Sequence, residues 1–245
     1  MLYSPQLPLQ LVSPPAKRFD DFVSGPNGAA VAALRHATDE PGCSIFLYGP
    51  EGSGKTHLLT ALCLYARERG QRAFYLDLRQ LPDNAVESLH GLESLDLVCV
   101  DNLHAIAGNE PWEEALFGLF NRLRDTRGRL VVSSRQRLSS LGLVLPDLQS
   151  RLVWGLRLSL LPLSDEDLLR VIARRSEALG IHLPADVRRY LVKHQERNLP
   201  TLLSTVEDLH RAALAGKRRI TIPLVREVLR SGPDRAGVGA REPQR

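Results

Sequence analysis

The octapeptide GPEGSGKT, residues 49–56, constrains the fold of this chain more than any other segment. It follows the apolar pentapeptide SIFLY and precedes the run THLLTALCLYARERG, a pattern that indicates a strand, a glycine-rich turn and a helix. The spacing is G-x-x-x-x-G-K-[ST], in the strand–loop–helix context that this motif requires. Such a loop turns backbone N–H groups inward at a helix N-terminus, where they bind phosphate oxygens. We therefore expect this loop to bind a nucleotide.

The residues of the loop predict distinct contacts with that nucleotide. Lys55 is expected to reach the β- and γ-phosphates, and the Thr56 hydroxyl to ligate Mg²⁺. The run LDLVCVD predicts a strand that ends in Asp101, where a second contact to magnesium, through water, is expected. The alternative is an aspartate that only caps the strand end. The predicted nucleotide-binding residues of the loop are Gly49, Pro50, Glu51, Gly52, Ser53, Gly54, Lys55 and Thr56.

Further polar residues stand at or just after the ends of the predicted strands. Asn102 stands where an acidic residue would polarise the attacking water, and a neutral amide can orient water but cannot accept its proton. We therefore expect weak intrinsic hydrolysis, unless the nearby His104 acts as the base. A solvated or packed histidine is the alternative. Ser133 and Ser134 end the fourth strand, which places their hydroxyls near the γ-phosphate, with Ser133 as the candidate phosphate sensor.

Apolar strands alternate with helices up to about residue 163, and only helices follow. This order predicts a five-stranded parallel α/β sheet with helices on both faces, then a small all-helical domain. Ser164 and Asp167 form the capping signature that opens the helical part. The predicted strands are 44–48, 72–78, 95–101, 129–134 and 156–163; the predicted helices are 56–70, 113–128, 165–179, 184–196, 200–215 and 223–230.

Composition excludes several classes of protein. Of the 245 residues, 43% are apolar and 24% charged, which excludes a disordered chain. No apolar run has the length of a membrane span, and the N-terminus does not have the pattern of a signal peptide. Three cysteines without a CxxC pair argue against disulfides and zinc, so we expect a cytoplasmic protein. The net charge is +4, with +5 from Lys217 onward, which indicates either a nearby acidic surface or a solvated tail.

Several segments resemble the DnaA-related AAA+ ATPases, and the layout is similar to their Hda-like regulators. The resemblance lies in FDDFVSGPNGAAVAAL (19–34), DLQSRLVWGLRLSL (147–160), PLSDED (162–167) and RRITIPLVREVL (218–229). It covers about residues 19–231 and implies an AAA+ core with a helical lid. The 14 residues after Ser231 are too few for the DNA-binding domain of an initiator, so we expect a regulator of DnaA.

The resemblance also implies roles for individual residues. The backbone at Phe22 and Val23 would line the adenine pocket for ADP or ATP. Arg151 would be an arginine finger, a side chain that acts on a nucleotide bound by a neighbouring subunit; the alternative is a salt bridge to Asp147 or Glu166. Trp154 is expected only to pack the entry to the strand. Pro200 stands where related lids carry a nucleotide-sensing arginine, and Arg197, one turn away, is the possible substitute.

Residues 1–16 form the N-terminal leader, which contains QLPLQL between prolines. In an extended segment Leu7, Leu9 and Leu11 lie on one side and can enter an apolar groove, while the Gln6 amide binds at its rim. The resemblance implies that these four residues bind the β subunit of the DNA polymerase III sliding clamp. The alternative is a disordered leader without a function.

We therefore predict a regulator that docks on DNA-loaded clamp and stimulates ATP hydrolysis by DnaA, contacting DNA mainly through the clamp. The alternatives are an autonomous ATPase, such as a helicase loader, and an adaptor that titrates DnaA passively. The expected divisions are the flexible leader, the AAA+ core over 17–163, the lid over 164–231 and a disordered basic tail over 232–245. The sequence does not decide whether the chain forms a homo-oligomer. No membrane association is expected.

Overall fold

The fold is built on one five-stranded parallel sheet. The structure, a computed structural model, describes residues 17–82, 84–195 and 198–231. The strands are β1 Ser44–Tyr48, β2 Ala73–Asp77, β3 Leu97–Asp101, β4 Arg129–Ser134 and β5 Leu156–Ser159. They lie in the order β2-β3-β4-β1-β5, so β1 is flanked by β4 and β5. This order brings the carboxyl ends of β1, β3 and β4 to one edge of the sheet.

Helices cover both faces of the sheet. Helices α1 Gly28–His36 and α2 Lys55–Glu68 pack on one face, against Ile45, Leu47 and neighbouring apolar side chains. Helices α3 Glu110–Asp125 and α4 Pro146–Trp154 pack on the other, against Phe46 and its neighbours. Strands β3 and β4 are buried along their whole length, as expected for parallel strands covered on both faces.

The remaining helices have an apolar core of their own. They are α5 Asp165–Ala178, α6 Ala185–His194, α7 Leu199–Gly216 and α8 Ile222–Ser231. Their shared core contains Ile172, Leu191 and Val206, which are fully buried or nearly so. Ser164 caps α5 by accepting a hydrogen bond from the Asp167 backbone N–H. None of the helices within the described ranges is long and apolar enough to span a lipid bilayer.

Apart from shifts of one to three residues at element ends, the observed elements differ from the predicted ones in two helices and one strand. Helices α1 and α4 have nine residues each and were not predicted, because both lie in segments with prolines and glycines that obscure the apolar period. Strand β5 was predicted to reach residue 163 but ends at Ser159, although Leu160 N–H still donates to the Tyr48 carbonyl oxygen at 2.7 Å. The apolar residues beyond it belong to the connection into α5.

A buried carboxylate fixes the chain that enters α4. Glu113, on α3, is fully buried and accepts hydrogen bonds from the backbone N–H groups of Gly108 (2.7 Å), Val144 (2.9 Å) and Leu145 (2.8 Å). Leu145 is the N-cap of α4 and Pro146 occupies its first turn. Because α3 holds this entry point, the position of α4 follows from that of α3.

Gly155, between α4 and β5, lies against the first residue of β1. A methyl group built at Gly155 would stand 2.5 Å from the Ser44 carbonyl oxygen, whereas one built at Gly28 meets nothing within 4 Å. We predict that Gly155→Ala lowers the free energy of unfolding by about 1–3 kcal/mol through overpacking. Gly28→Ala, the matched control, should be neutral or raise it by about 0.4–1 kcal/mol. Urea titration measures both, and equal values for the two variants would contradict the packing described here.

Candidate nucleotide-binding site

The phosphate loop connects β1 to α2 and depends on three glycines. Gly52 and Gly54 have positive φ angles of 76° and 91°, which side chains rarely adopt. At Gly49 a methyl group would lie 2.6 Å from the carbonyl oxygen of Leu160, the residue after β5, so there is no room for a side chain. The loop therefore leads directly into the N-terminus of α2, where unpaired helix N–H groups and the helix dipole favour the binding of an anion.

Lys55 lies inside this loop. Its Nζ donates hydrogen bonds to the carbonyl oxygens of Gly49 at 2.7 Å and Pro50 at 2.8 Å, and its side chain is almost fully buried. Burial lowers the pKa of Lys55, and the nearby Asp101 carboxylate opposes that shift. The amine is thus held at the position from which a lysine can pair with bound phosphates.

The Asp101 carboxylate accepts four hydrogen bonds at the carboxyl edge of the sheet. The donors are Thr56 Oγ1 at 2.6 Å, Tyr75 OH at 2.9 Å, the Asn102 N–H at 3.0 Å and Ser133 Oγ in a short contact. Asp101 is fully buried. The predicted metal-binding residues Thr56 and Asp101 are therefore neighbours. Their hydroxyl and carboxylate oxygens are ligands of the kind that Mg²⁺ prefers. Ser133, the predicted sensor, directs its hydroxyl to this carboxylate.

Tyr75 is a residue that the sequence did not reveal. Burial, together with the Asp101 carboxylate beside its hydroxyl, raises the pKa of Tyr75, so the phenol stays protonated and donates to Asp101. A tyrosine inside a strand gives no sequence signal of this contact. It follows only from the pairing of β2 with β3.

Asn102 directs its amide away from the phosphate loop. Its backbone is left-handed (φ 63°), and Nδ2 donates to Asp77 Oδ1 at 2.7 Å. Asp77 ends β2, which lies on the far side of β3 from β4 and β1. The predicted water-orienting amide is therefore paired with a carboxylate that sequence reasoning also missed.

His104 follows Asn102 in a short 3-10 turn. Partial burial, then the neighbouring Arg135 and Arg79, lower the pKa of His104 and favour its neutral form. Its Nδ1 atom is buried without a hydrogen-bond partner in the described part of the chain. The prediction that His104 acts as a base is not tested by this geometry and stays a prediction.

The expected adenine side of the site lies beside the loop. The Phe22 ring packs over Gly54, where its Cε2 would be 2.5 Å from an added methyl group, and its centroid is 5.3 Å from that of His57. Val23 is buried next to it. The Nε2 atom of His57 lies 2.8 Å from the Arg18 carbonyl oxygen. Aromatic and backbone groups thus border the loop on the side of α2.

The lid closes over the phosphate loop at Pro200. This residue occupies the first turn of α7, and its Cδ would be 2.9 Å from a methyl group on Gly52. The structure therefore places Pro200 directly on the loop, where its ring offers no hydrogen-bond donor to a phosphate. Arg197, the possible substitute, lies outside the described residues, as do the leader residues Gln6, Leu7, Leu9 and Leu11.

Arg151 is not brought together with the loop. It lies in the last turn of α4, on the sheet face opposite α2, and its guanidinium carbon is 4.4 Å from the Trp154 ring centroid and 5.9 Å from that of Phe117. Among the described residues it forms no ion pair, so the salt bridge to Asp147 or Glu166 is not made. The prediction that Trp154 packs the strand entry is wrong, because 69% of its surface is exposed: the side chain extends outward from the end of α4.

The sheet order, the phosphate loop and the helical lid define an AAA+ nucleotide-binding protein. The family model of the bacterial DnaA ATPase domain matches residues 15–159, and that of the Hda lid domain matches residues 165–229. The chain belongs to the DnaA-related AAA+ family and is close to Hda.

Solved structures agree with this fold. Domain III of Thermotoga maritima DnaA superposes with a TM-score of 0.81 at 24% identity, covering 89% of this chain and 97% of that one. AMPPCP-bound DnaA from Aquifex aeolicus gives 0.71 at 23% identity, covering 84% and 68%. The Thermotoga maritima RuvB Holliday junction branch migration motor gives 0.63 at 18%, covering 83% and 68%. At these identities the likeness shows the AAA+ fold alone.

His57 gives the site a pH dependence of defined sign. Burial lowers its pKa from the usual 6.5, so below about pH 6.5 the unfolded chain binds a proton that the folded chain does not. We predict that the free energy of unfolding falls as the pH drops from 7.5 to 5.5. The contribution of His57 to the slope of the unfolding free energy against pH stays below about 1.4 kcal/mol per pH unit.

His57→Gln should reduce this slope, and a matched His182→Gln variant, which changes a histidine of the lid, should retain it. Urea titrations at each pH measure the two slopes. An unchanged slope in His57→Gln would show that the buried imidazole does not carry the effect.

Proposed function

We propose that this DnaA-related replication regulator stimulates hydrolysis of the ATP bound by DnaA while it is docked on a DNA-loaded sliding clamp. The observation that carries the proposal is the position of Arg151. Its guanidinium lies on the sheet face opposite α2, and in the described part of the chain it forms no ion pair and lies beside the rings of Trp154 and Phe117. This position supports an action on a neighbouring molecule's nucleotide and not on the chain's own loop. Conversion of DnaA to its ADP form would then prevent re-initiation.

The chain itself would bind an adenine nucleotide, ADP or ATP. The loop amides and Lys55 would hold the phosphates, Thr56 and Asp101 would hold Mg²⁺ between them, and Phe22 and Val23 would border the base. Magnesium supplies charge neutralisation at the phosphates when it is bound. The nucleotide would fix the lid against the core, because Pro200 and the loop lie in contact. We place the two functional units at 17–163 and 164–231.

Hydrolysis at this chain's own site would be weak. Two polar groups at the strand ends are already paired: the Asn102 amide with Asp77, and the Ser133 hydroxyl with Asp101. No carboxylate occupies position 102 to accept a proton from water. An autonomous ATPase, such as a helicase loader, remains the second candidate, because Lys55 lies in the loop and Thr56 donates to Asp101 beside it.

Arg151 would act as the arginine finger. A guanidinium on a γ-phosphate stabilises the charge that develops on its oxygens, which is worth ~10³–10⁵ in rate. The chemistry would occur in the partner's site, so this chain acts as an activator. An adaptor that titrates DnaA passively would need no such cation.

We predict that Arg151→Ala lowers the stimulated hydrolysis of ATP preloaded on DnaA by ~10³-fold. The measurement is phosphate release from ATP–DnaA mixed with clamp-loaded DNA, ADP and this chain. Arg157→Ala removes an exposed arginine on β5 of the same surface and should retain stimulation. Full activity of Arg151→Ala would support the passive adaptor instead.

The leader would act as a tether. Leu7, Leu9 and Leu11 would enter the clamp groove, and Pro8 would reduce the ordering cost of the bound segment. A tether works by raising local concentration, so its loss should be overcome by mass action.

We therefore predict that Leu9→Ala with Leu11→Ala lowers stimulation at limiting protein and that excess protein restores it. Leu2→Ala, outside the motif, serves as the control. Titration of stimulated phosphate release against the concentration of this chain gives the half-saturation point. A defect that no concentration restores, or no defect at all, would refute the tether.

A further inference from the structure

The Arg151 side chain is held between two aromatic rings from different helices. The ring centroid of Trp154, which is one turn further along α4, lies 4.4 Å from the guanidinium carbon. The ring centroid of Phe117 on α3 lies 5.9 Å from the same carbon. Arg151 itself is half-buried. An arginine side chain otherwise samples many rotamers, and fixing it costs conformational entropy. The two rings reduce the number of orientations open to this guanidinium before any partner arrives.

Trp154 has no evident role in the core that would explain an indole at this position. Its exposed fraction of 69% is the largest among the exposed apolar side chains of the described residues, and the apolar core beneath α4 is filled by Leu148 and Leu152. An indole is the ring that attracts cations most strongly. The ring of Trp154 contacts the guanidinium of Arg151, the arginine on which the proposed function depends.

We propose that Trp154 is a positioning residue for Arg151: its indole holds the guanidinium in the orientation that reaches the partner's γ-phosphate. This inference rests on the proposed role of Arg151. The contact acts on the transition state through Arg151, because an already ordered guanidinium stabilises developing charge without first being ordered. Loss of the indole therefore lowers the maximal rate and leaves the affinity for the partner unchanged.

The kinetic test compares four variants in the hydrolysis of ATP preloaded on DnaA, with clamp-loaded DNA and ADP. Trp154→Ala is expected to lower the maximal rate on the order of 10-fold, with an unchanged half-saturating concentration. Trp154→Phe keeps a ring and is expected to recover most of that loss. Leu156→Ala removes another exposed apolar side chain, 50% exposed, and is expected to change neither quantity. Arg151→Ala gives the rate without the finger.

The variants separate the two proposals. If Arg151→Ala abolishes stimulation while Trp154→Ala retains the maximal rate, the positioning role is refuted and the proposed function stands. A higher half-saturating concentration with an unchanged maximal rate also refutes it, since the indole would then be only a contact surface. If Arg151→Ala retains full stimulation, the proposed function itself fails.

A double variant tests whether the indole acts through the arginine. In Arg151→Ala, the further change Trp154→Ala is expected to have no effect on the remaining rate, because the group that it positions is gone. An additional 10-fold loss in the double variant would show that Trp154 acts independently and would overturn the proposal. Thermal unfolding of each variant accompanies the kinetics, and the exposed position of Trp154 predicts an unchanged midpoint.

Discussion

The Asp101 carboxylate is the interaction on which the rest of the site depends. It lies fully buried at the end of β3 and receives hydrogen bonds from α2, β2 and β4 through Thr56, Tyr75 and Ser133. A buried carboxylate is tolerated only when donors surround it, and each donor left unpaired costs about 1–3 kcal/mol. Among these hydrogen bonds, the one from Thr56 fixes the N-terminal turn of α2 to the sheet, at the position where Thr56 and Asp101 would hold a magnesium ion.

The candidate nucleotide site and Arg151 lie on different sides of the protein. The groups that could hold phosphates and metal meet at the carboxyl edge of the sheet, whereas Arg151 stands on the opposite face from α2, beside α3. Glu113 anchors the entry to α4 on α3 and so fixes the helix that carries Arg151. In the function that we propose, one side of the protein binds a nucleotide and the other acts on the nucleotide of DnaA.

The phosphate loop, the α/β core and the helical lid were predictable because each leaves a local signal: a spaced motif, an apolar period or a capping pair. Side-chain contacts between neighbouring strands leave no local signal in the sequence. Tyr75 and Asp77 reach Asp101 and Asn102 only through the pairing of β2 with β3, which a single sequence does not encode locally. Trp154 was misjudged for a related reason, since a tryptophan before a strand is most often buried, and only the position of α4 turns it outward.

The central claim, that hydrolysis occurs on the partner, is tested most directly by labelling the two nucleotide pools differently. DnaA would be loaded with ATP whose γ-phosphate carries one phosphorus radioisotope, and this chain with ATP that carries another. The two proteins would be mixed on clamp-loaded DNA with excess unlabelled ATP, which prevents labelled ATP that dissociates from one protein from binding to the other, and the label would be followed as free phosphate. We predict rapid release of the DnaA label and retention of the label on this chain. Release from this chain's own ATP, with the DnaA label retained, would contradict the account and establish an autonomous ATPase.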